Sequence, residues 1–265
     1  MPIASARRVF ITGASSGIGN ALARHYAAQG AVLGLAARRA DELQAQAEIL
    51  QGLGAAGVAC FPLDVADSTA LRQAAGDFVA AYGAPDIVIA NAGVSSGTLT
   101  ECAEDLAAIK RIFDINVFGM AATFSPFIAP MQQSVKEGRA CRLVGIASVA
   151  GIRGLPGAEA YSASKAAVAT YLESLRLEMR ASGIKVVTIA PGYIATPMTA
   201  INPYRMPFLL PAEEAARRFA RVIDKGCSYA VIPWQMGIVA KGLRLLPNWL
   251  YDRLFANAPR KPKIL

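Results

Sequence analysis

Two hydrophobic patterns alternate along this chain, and each predicts a different kind of element. Short apolar runs predict strands, whereas apolar residues that recur every three or four positions predict helices. Strands are expected at residues 8–12, 31–37, 57–63, 86–91, 141–147, 184–190 and 229–233. Helices are expected near residues 17–29, 40–53, 68–82, 102–137, 160–182 and 211–225.

The order of these elements predicts an α/β fold. The strands are continuous apolar runs, which is typical of a parallel sheet covered by helices on both faces. Alternation of strands and helices through short connections indicates a Rossmann-like, doubly wound parallel sheet of about seven strands. The simplest division is one domain over residues 1–233 and an amphipathic, basic, helical extension over residues 234–265.

Composition agrees with a folded domain and locates the excess charge. Of the 265 residues, 54% are hydrophobic and 17% are charged, which supplies a large core and excludes a disordered chain. The net charge is +8, and the extension carries six Lys/Arg against one acid. Nucleic acid is not an expected partner, because the charge does not follow a groove and no binding motif is present.

Compartment and metal content follow from the cysteines and the N-terminus. Cys60, Cys102, Cys141 and Cys227 are scattered and accompany a single histidine, so neither a zinc site nor a disulfide framework is suggested. No signal-peptide pattern and no uninterrupted apolar run of about 18 residues is found. We expect a cytoplasmic protein that binds no metal.

The first strand leads into a glycine-rich turn that is expected to bind a dinucleotide. Gly13 permits a tight turn, Gly17 lets the backbone approach a pyrophosphate, and Gly19 allows close helix–strand packing. The N–H groups at the start of the next helix then face the negative charge. The other residues expected at this turn are Ser15, Ser16 and Ile18. A glycine-rich turn without a ligand is the alternative.

The helix predicted at 160–182 carries two polar residues on its apolar face. Its stripe of Val168, Leu172 and Leu175, extended backwards by helical steps, reaches Lys165 and then Tyr161. A cation beside a tyrosine favours the phenolate. Lowering a phenol pKa by about three units requires roughly 4 kcal/mol, which this lysine and a bound cationic ring could supply. We interpret Tyr161 as a general acid/base.

The spacing G-x-x-x-G-x-G, followed by Tyr161-x-x-x-Lys165, resembles the short-chain dehydrogenase/reductase family over residues 8–233. The resemblance implies that Ser148 orients the substrate oxygen, that Asn116 holds a water in a proton relay, and that Lys165 also holds the nicotinamide ribose. It implies further cofactor contacts from Asp64, Val65, Asn91, Ala92, Gly93, Pro191, Gly192, Ile194 and Thr196. Ala90 stands where the family usually has a first asparagine.

The end of the second strand favours NADP(H) over NAD(H). An NAD site has an acid there for the ribose 2′-hydroxyl, whereas this chain has Ala36-Ala37 followed by Arg38 and Arg39. An arginine can form two hydrogen bonds with a 2′-phosphate. Arg38 is the preferred candidate because it comes first. Alternatively, both arginines are solvated residues at the start of a helix.

The expected function is an NADP(H)-dependent oxidoreductase that exchanges hydride with a carbonyl compound or secondary alcohol. A non-catalytic NADP(H)-binding sensor and a lipid-surface protein are the alternatives. The segment 197–210 resembles the family's substrate lid, and its apolar residues indicate a lipophilic substrate or packing on protein. A homodimer or homotetramer is implied through the helices at 102–137 and 160–182.

The sequence leaves the role of the extension and of Arg153 open, and it predicts packing roles for His25 and two cysteines. The extension suits a peripheral membrane contact, a cap on the cleft or packing on a subunit. Arg153 is expected at the mouth of the cleft or in solvent. His25 is expected to be a surface or packing residue, and Cys102 and Cys141 are expected to be buried.

Overall fold

The computed structural model of the protein describes residues 6–264. Within that range, strands β1–β9 lie at Arg8–Thr12, Val32–Ala37, Gly57–Pro62, Ile87–Ala90, Arg142–Ile146, Lys185–Pro191, Ile194–Ala195, Leu210–Pro211 and Tyr229–Ile232. Helices α1–α10 lie at Gly17–Ala27, Ala40–Gly52, Ser68–Tyr82, Asp105–Phe113, Gly119–Lys136, Glu159–Glu178, Pro197–Ala200, Ala212–Lys225, Trp234–Leu245 and Asn248–Phe255.

The predicted α/β architecture is confirmed. Seven strands form a sheet in the order β3-β2-β1-β4-β5-β6-β9, and every pair in it is parallel. The helix predicted at 102–137 differs in one respect, because a π-helical turn at Asp114–Phe118 separates α4 from α5. The short elements β7, β8 and α7 were not predicted, since two to four residues are too few to display a hydrophobic period.

The strand order places a crevice at the carboxyl ends of β1 and β4. From β1 the chain winds outward through β2 and β3, and then crosses to β4 on the other side of β1. Helices that leave neighbouring strands in opposite directions open a crevice at this reversal, where doubly wound sheets bind ligands. The glycine-rich turn after β1 therefore lies at the expected binding edge.

Both faces of the sheet are buried because alternate strand residues point to opposite sides. On one face, Ile11 and Leu35 pack with Leu22 and Tyr26 of α1 and with Phe219 of α8. On the other face, Phe10 and Leu143 pack with Phe78 of α3, Phe127 of α5 and Leu172 of α6. This double cover explains why the strand sequences show no alternation of polar residues.

The segment Asp105–Lys136 is long and apolar enough to cross a membrane by length and composition, with a mean hydropathy of 1.4 in its most apolar window. Several of its large side chains cover the sheet. Phe124, Phe127 and Met131 are fully buried, and the ring of Phe127 lies 4.8 Å from that of Phe10. The segment therefore serves as a core helix of the domain.

The C-terminal helices are held by Arg153, which does not lie free in solvent. Its Nη1 donates to the carbonyls of Leu243 and Leu246, both at 2.8 Å, where α9 leaves its last carbonyls unpaired. Its guanidinium stacks 3.9 Å from the ring centroid of Tyr251 on α10, and the Tyr251 hydroxyl donates to the Gly154 carbonyl at 2.6 Å. These contacts join the extension to the loop that follows β5.

The seating of α6 on the sheet depends on a glycine in β5. A Cβ at Gly145 would lie 2.4 Å from Cδ1 and 2.7 Å from Cδ2 of Leu172, and Leu172 is fully buried. We predict that Gly145→Ala lowers the free energy of unfolding by about 1–3 kcal/mol through overpacking, measured by urea denaturation.

The matched control is Gly76→Ala in α3, where an added Cβ meets nothing within 4 Å. This change should raise the free energy of unfolding by about 0.5–1 kcal/mol, because alanine has the better helix propensity. Equal effects of the two substitutions would show that the close approach of α6 to β5 is not under steric constraint.

Candidate active site

The glycine-rich turn approaches its neighbours too closely for side chains. Gly13 has a φ of 66°, and a Cβ there would lie 2.8 Å from Cα of Ala92. A Cβ at Gly19 would lie 2.2 Å from the Gly13 carbonyl oxygen, so Gly19 packs the helix against the turn. Ser16 precedes α1 without making a side-chain capping bond, which leaves the first N–H groups of the helix to an outside acceptor. These features fit a bound pyrophosphate.

Asn91 joins the loops after β1 and β4 across the crevice. Its Nδ2 donates to the carbonyls of Thr12 and Gly13, both at 3.1 Å. Its backbone N–H donates to Oγ1 of Thr12 at 3.2 Å. The side chain thus fixes the spacing of the two loops, and the backbone of residues 91–93 lines the cleft.

Nearly all of the sequence-predicted site residues come together in one cleft at this edge of the sheet. The lining includes Gly13, Ser15, Ser16, Gly17, Ile18, Arg38, Arg39, Asp64, Val65, Asn91, Ala92, Gly93, Ser148, Tyr161, Lys165, Pro191, Gly192, Ile194 and Thr196. Gly19 and Asn116 are the two predicted residues that do not line it, because Gly19 packs beneath the turn and Asn116 is fully buried behind it.

Lys165 is buried on the sheet side of α6, as its place in the apolar stripe predicts. Its Nζ donates to the Ile146 carbonyl at 2.8 Å and lies 6.0 Å from the ring centroid of Tyr161. Burial lowers the pKa of Lys165 to about 8, because the ammonium loses its hydration. At pH 7 the group still carries its charge for most of the time.

The acidity of Tyr161 differs from the sequence-based expectation. Burial raises the pKa of Tyr161, and the nearby Ser148 hydroxyl opposes part of that rise. The pKa of Tyr161 in the protein alone is therefore not depressed as expected from the neighbouring lysine, because the phenolate loses its solvation on burial. The phenol is protonated at neutral pH.

Asn116 reaches its buried position through the π-helical turn. Its Oδ1 accepts from the Val94 N–H at 2.8 Å, and its Nδ2 donates to the Val94 carbonyl and to Oγ of Ser164, both at 3.0 Å. The side chain thereby ties the loop after β4 to α6. That Asn116 holds a water in a relay stays a prediction.

The end of β2 carries two exposed arginines at the rim of the cleft. Nη2 of Arg39 donates to Oγ of Ser15 at 3.1 Å, and its Nη1 pairs with Glu42 at 2.6 Å. Arg38 makes no such hydrogen bond or ion pair within residues 6–264. Of the two, Arg39 is therefore the one fixed against the glycine-rich turn, although Arg38 was preferred from the sequence.

Two further residues near Tyr161, Ser164 and Lys261, were not predicted, because no local sequence motif marks them. Ser164, within the Tyr161-x-x-x-Lys165 stretch, donates to the Tyr161 carbonyl at 2.8 Å and accepts from Asn116. Lys261, from the basic end of the chain, lies with its Nζ 5.6 Å from the ring centroid of Tyr161. Its proximity depends on the path of the whole extension, which periodicity does not reveal.

His25, Cys102 and Cys141, which the sequence predicts to have structural and not catalytic roles, do not line the cleft. His25 on α1 forms a 2.9 Å hydrogen bond with Gln29, just after the helix, and packs beside Tyr26. Cys141 is buried as expected, and burial raises the pKa of its thiol to about 11. Cys102, by contrast, is only partly buried.

Comparison with known proteins agrees with this geometry. Residues 7–204 match the family model described as short chain dehydrogenase. The chain is 40% identical over 252 residues to an "Uncharacterized oxidoreductase" of Myxococcus xanthus (strain DK1622), covering 94% of this chain and 96% of that protein. It is 35% identical to the "11-beta-hydroxysteroid dehydrogenase-like 2" of Arabidopsis thaliana, covering 85% of this chain and 73% of that protein.

A solved structure shares the architecture. The crystal structure of levodione reductase aligns with a TM-score of 0.77 at 26% identity, covering 87% of this chain and 98% of that one. The region that matches the family model, residues 7–204, includes the glycine-rich turn, the loop after β4 and the residues of α6 that line the cleft. The chain therefore belongs to the short-chain dehydrogenase/reductase family of oxidoreductases.

Proposed function

We propose that the protein is an NADP(H)-dependent carbonyl reductase or alcohol dehydrogenase, with Tyr161 as its general acid/base. The observation that carries the proposal is that the Tyr161 phenol, which burial keeps protonated, lines the same cleft as Ser148 and the glycine-rich turn. A non-catalytic sensor would need the dinucleotide turn but not this arrangement of phenol, hydroxyl and ammonium.

The residues of the chain divide the work of carbonyl reduction. NADPH, held by the glycine-rich turn and the other residues that line the cleft, would supply the hydride for the carbonyl carbon. Ser148 donates a hydrogen bond to the carbonyl oxygen and holds it beside the phenol. Tyr161 gives its proton to that oxygen as negative charge develops there, so that the product is an alcohol and the tyrosine is left as a phenolate.

Lys165 stabilises the phenolate that remains after proton transfer. Its buried ammonium faces the ring, and little water intervenes to screen the attraction. The raised pKa of Tyr161 suits the same direction of reaction, because the acid that starts a reduction has to be protonated. In the opposite direction the phenolate accepts the proton of an alcohol.

The choice of NADP(H) rests on the charges at the end of β2. Ala37 offers no carboxylate to the ribose 2′-hydroxyl, and two guanidinium groups border that part of the cleft. Nη2 of Arg39 also lies 3.1 Å from Oγ of Ser15 on the glycine-rich turn, where a 2′-phosphate could bridge them. Arg38 and Arg39 together form the proposed phosphate site.

A lipophilic substrate is proposed from the lid segment 197–210. Met198 lines the cleft, whereas Phe208 and Leu209 remain 50% and 44% exposed. These large apolar side chains are therefore not consumed by packing within the described chain. The hydroxysteroid dehydrogenase name of the Arabidopsis relative is compatible with such a substrate.

Apolar surfaces outside the cleft support proposals about assembly. Leu106, Phe118 and Leu177 are more than half exposed on α4, the π-helical turn and α6, and we propose a homodimer or homotetramer through these elements.

Trp234 and Trp249, at 64% and 68% exposed on α9 and α10, support peripheral contact of a cytoplasmic protein with a membrane surface.

One prediction concerns the role of the Tyr161 hydroxyl as proton donor. Tyr161→Phe should lower kcat for NADPH-dependent reduction of lipophilic ketones by at least about 10²-fold, because the proton donor is lost. NADPH affinity, measured by cofactor fluorescence, should change little. The control is Tyr171→Phe on the same helix, outside the cleft, which should retain activity. Turnover at the normal rate by Tyr161→Phe would disprove the proposed chemistry.

The second prediction concerns the energetic penalty of the buried ammonium. A pKa lowered from 10.5 to about 8 destabilises the charged folded form by about 3 kcal/mol. The penalty is complete below pH 8 and disappears as the pH rises towards 10.5, because the unfolded chain then also loses the proton.

Lys165→Met should therefore unfold at higher urea concentration than wild type at pH 7, and this advantage should shrink by pH 10, while reductase activity is lost. The exposed Lys185 supplies the control, since Lys185→Met should show no such dependence on pH. An advantage of Lys165→Met that grows with pH would have the wrong sign for a desolvated lysine.

The third prediction concerns cofactor choice. The double variant Arg38→Ala/Arg39→Ala should raise KM for NADPH by about 10- to 100-fold, the effect of lost hydrogen bonds to a charged group, and leave KM for NADH within about threefold. Arg7→Ala is the control, because Arg7 pairs with Asp224 and does not line the cleft. Equal losses with both cofactors would argue against a 2′-phosphate site.

A further inference from the structure

The last residues of the chain return to the candidate active site. We define the C-terminal arm as residues 256–264, which follow α10. The arm pairs with the loop after β4: Gly97 donates its N–H to the Pro262 carbonyl at 2.9 Å, and Ile264 donates its N–H to Oγ of Ser96 at 2.9 Å. The arm is thus held by backbone hydrogen bonds on both sides of Lys263.

An ion pair and a close steric contact fix the arm further. Nζ of Lys263 lies 2.8 Å from Oδ2 of Asp105, and this nearly buried carboxylate also accepts the Leu99 N–H at 2.8 Å. On the other side, a Cβ at Gly157 would lie 2.8 Å from Cβ of Arg260. The arm therefore bridges the loop after β4 and the loop that precedes α6.

These anchors deliver a second lysine to the proposed proton donor. Nζ of Lys261 lies 5.6 Å from the ring centroid of Tyr161, slightly nearer than Nζ of Lys165 at 6.0 Å. Lys165 lines the dinucleotide cleft, whereas Lys261 does not. Lys261 therefore reaches the Tyr161 ring from the C-terminal arm and not from the lining of that cleft.

The ammonium of Lys261 has no anionic partner among residues 6–264. No carboxylate of that range lies within 4.0 Å of its Nζ, whereas Lys263 on the same arm has Asp105. The side chain is partly buried, and burial lowers its pKa to about 8. A half-desolvated cation held in place without a counter-ion is favourable only if another anion completes the site.

We propose that Lys261 determines specificity by binding a carboxylate of the substrate, whose carbonyl is held at Tyr161. The inference rests on the proposed function of this site and narrows its substrate to a lipophilic oxo acid. The apolar part of such a substrate faces the lid segment, where Met198 lines the cleft and Phe208 is half exposed. Neutral ketones lack the group that Lys261 recognises.

The test compares matched charged and neutral substrates. Medium-chain oxo acids and their methyl esters are reduced with NADPH by wild type and by Lys261→Met. The variant should lose about 10- to 100-fold in kcat/KM for the acids and change less than about threefold for the esters. Lys261→Arg should restore part of the acid activity, and Lys241→Met, which removes an exposed charge from α9, should retain it all.

Two results would overturn the inference. An unchanged kcat/KM for the acids would show that Lys261 does not bind the carboxylate. Equal losses for acids and esters would assign Lys261 to the acidity of Tyr161 instead, and the pH profile with the esters would then shift. Gly97→Ala supplies an independent check, because its Cβ would lie 2.1 Å from the Lys261 carbonyl and displace the arm. This variant should also lose its preference for acids.

A binding experiment separates this inference from the proposed function. Decanoate is titrated calorimetrically into Tyr161→Phe and into Tyr161→Phe/Lys261→Met, each saturated with NADPH. About tenfold weaker binding to the double variant supports the carboxylate site, and equal affinities contradict it. Because decanoate has no ketone to reduce, the result does not depend on reductase activity, which the reduction of lipophilic ketones by wild type tests separately.

Discussion

The buried hydrogen bond between Lys165 and the Ile146 carbonyl sets the geometry of the site. It ties an ammonium on α6 to the carboxyl end of β5 at 2.8 Å, in a place with little water. The bond forms only if the helix lies close to the sheet. Gly145 permits this beside Leu172, and Gly151 permits it at the next turn, where a Cβ would lie 2.6 Å from the Lys165 carbonyl carbon. One close approach thereby brings Ser148, Tyr161 and Lys165 together.

The dinucleotide half of the cleft follows from the order of the strands. The reversal beside β1 leaves the ends of β1 and β4 without a helix directly above them, and Asn91 then spans the two loops. Asn116 connects the same loop to α6 through Val94 and Ser164. A chain of amide hydrogen bonds thus links the glycine-rich turn to the helix that carries the phenol, and connects the two halves of the cleft.

The sequence predicts those features that depend on local pattern. All seven strands of the main sheet and the stripe that buries Lys165 follow from periodicity, because burial on two faces demands continuous apolar runs. The same pattern contains no information about solvation, and for that reason the raised pKa of Tyr161 was not anticipated. The π-helical turn at Asp114–Phe118 also escaped prediction, since one added residue barely changes an apolar helical stripe.

Features that depend on the path of the whole chain lie beyond such reasoning. Arg153 looked equally suited to solvent or to the cleft mouth, yet it binds carbonyls that are about 90 positions away in the sequence. Lys261 lies a hundred residues after Tyr161 and reaches it by way of α9 and α10, which Arg153 contacts. Among the described residues, the phenol therefore has one lysine from its own helix and one from the C-terminal arm.

The two lysines differ in what they contribute to folding and function. Lys165 retains a carbonyl acceptor within the fold, so its ammonium is compensated in part before any ligand binds. Lys261 has no anionic acceptor among residues 6–264, and its position depends on the hydrogen bonds and the ion pair that hold the C-terminal arm. A group that is fixed but uncompensated destabilises the free protein and is relieved by an anionic ligand. The physical asymmetry between the two cations thus supports the proposals that Lys165 serves the reaction and that Lys261 selects the substrate.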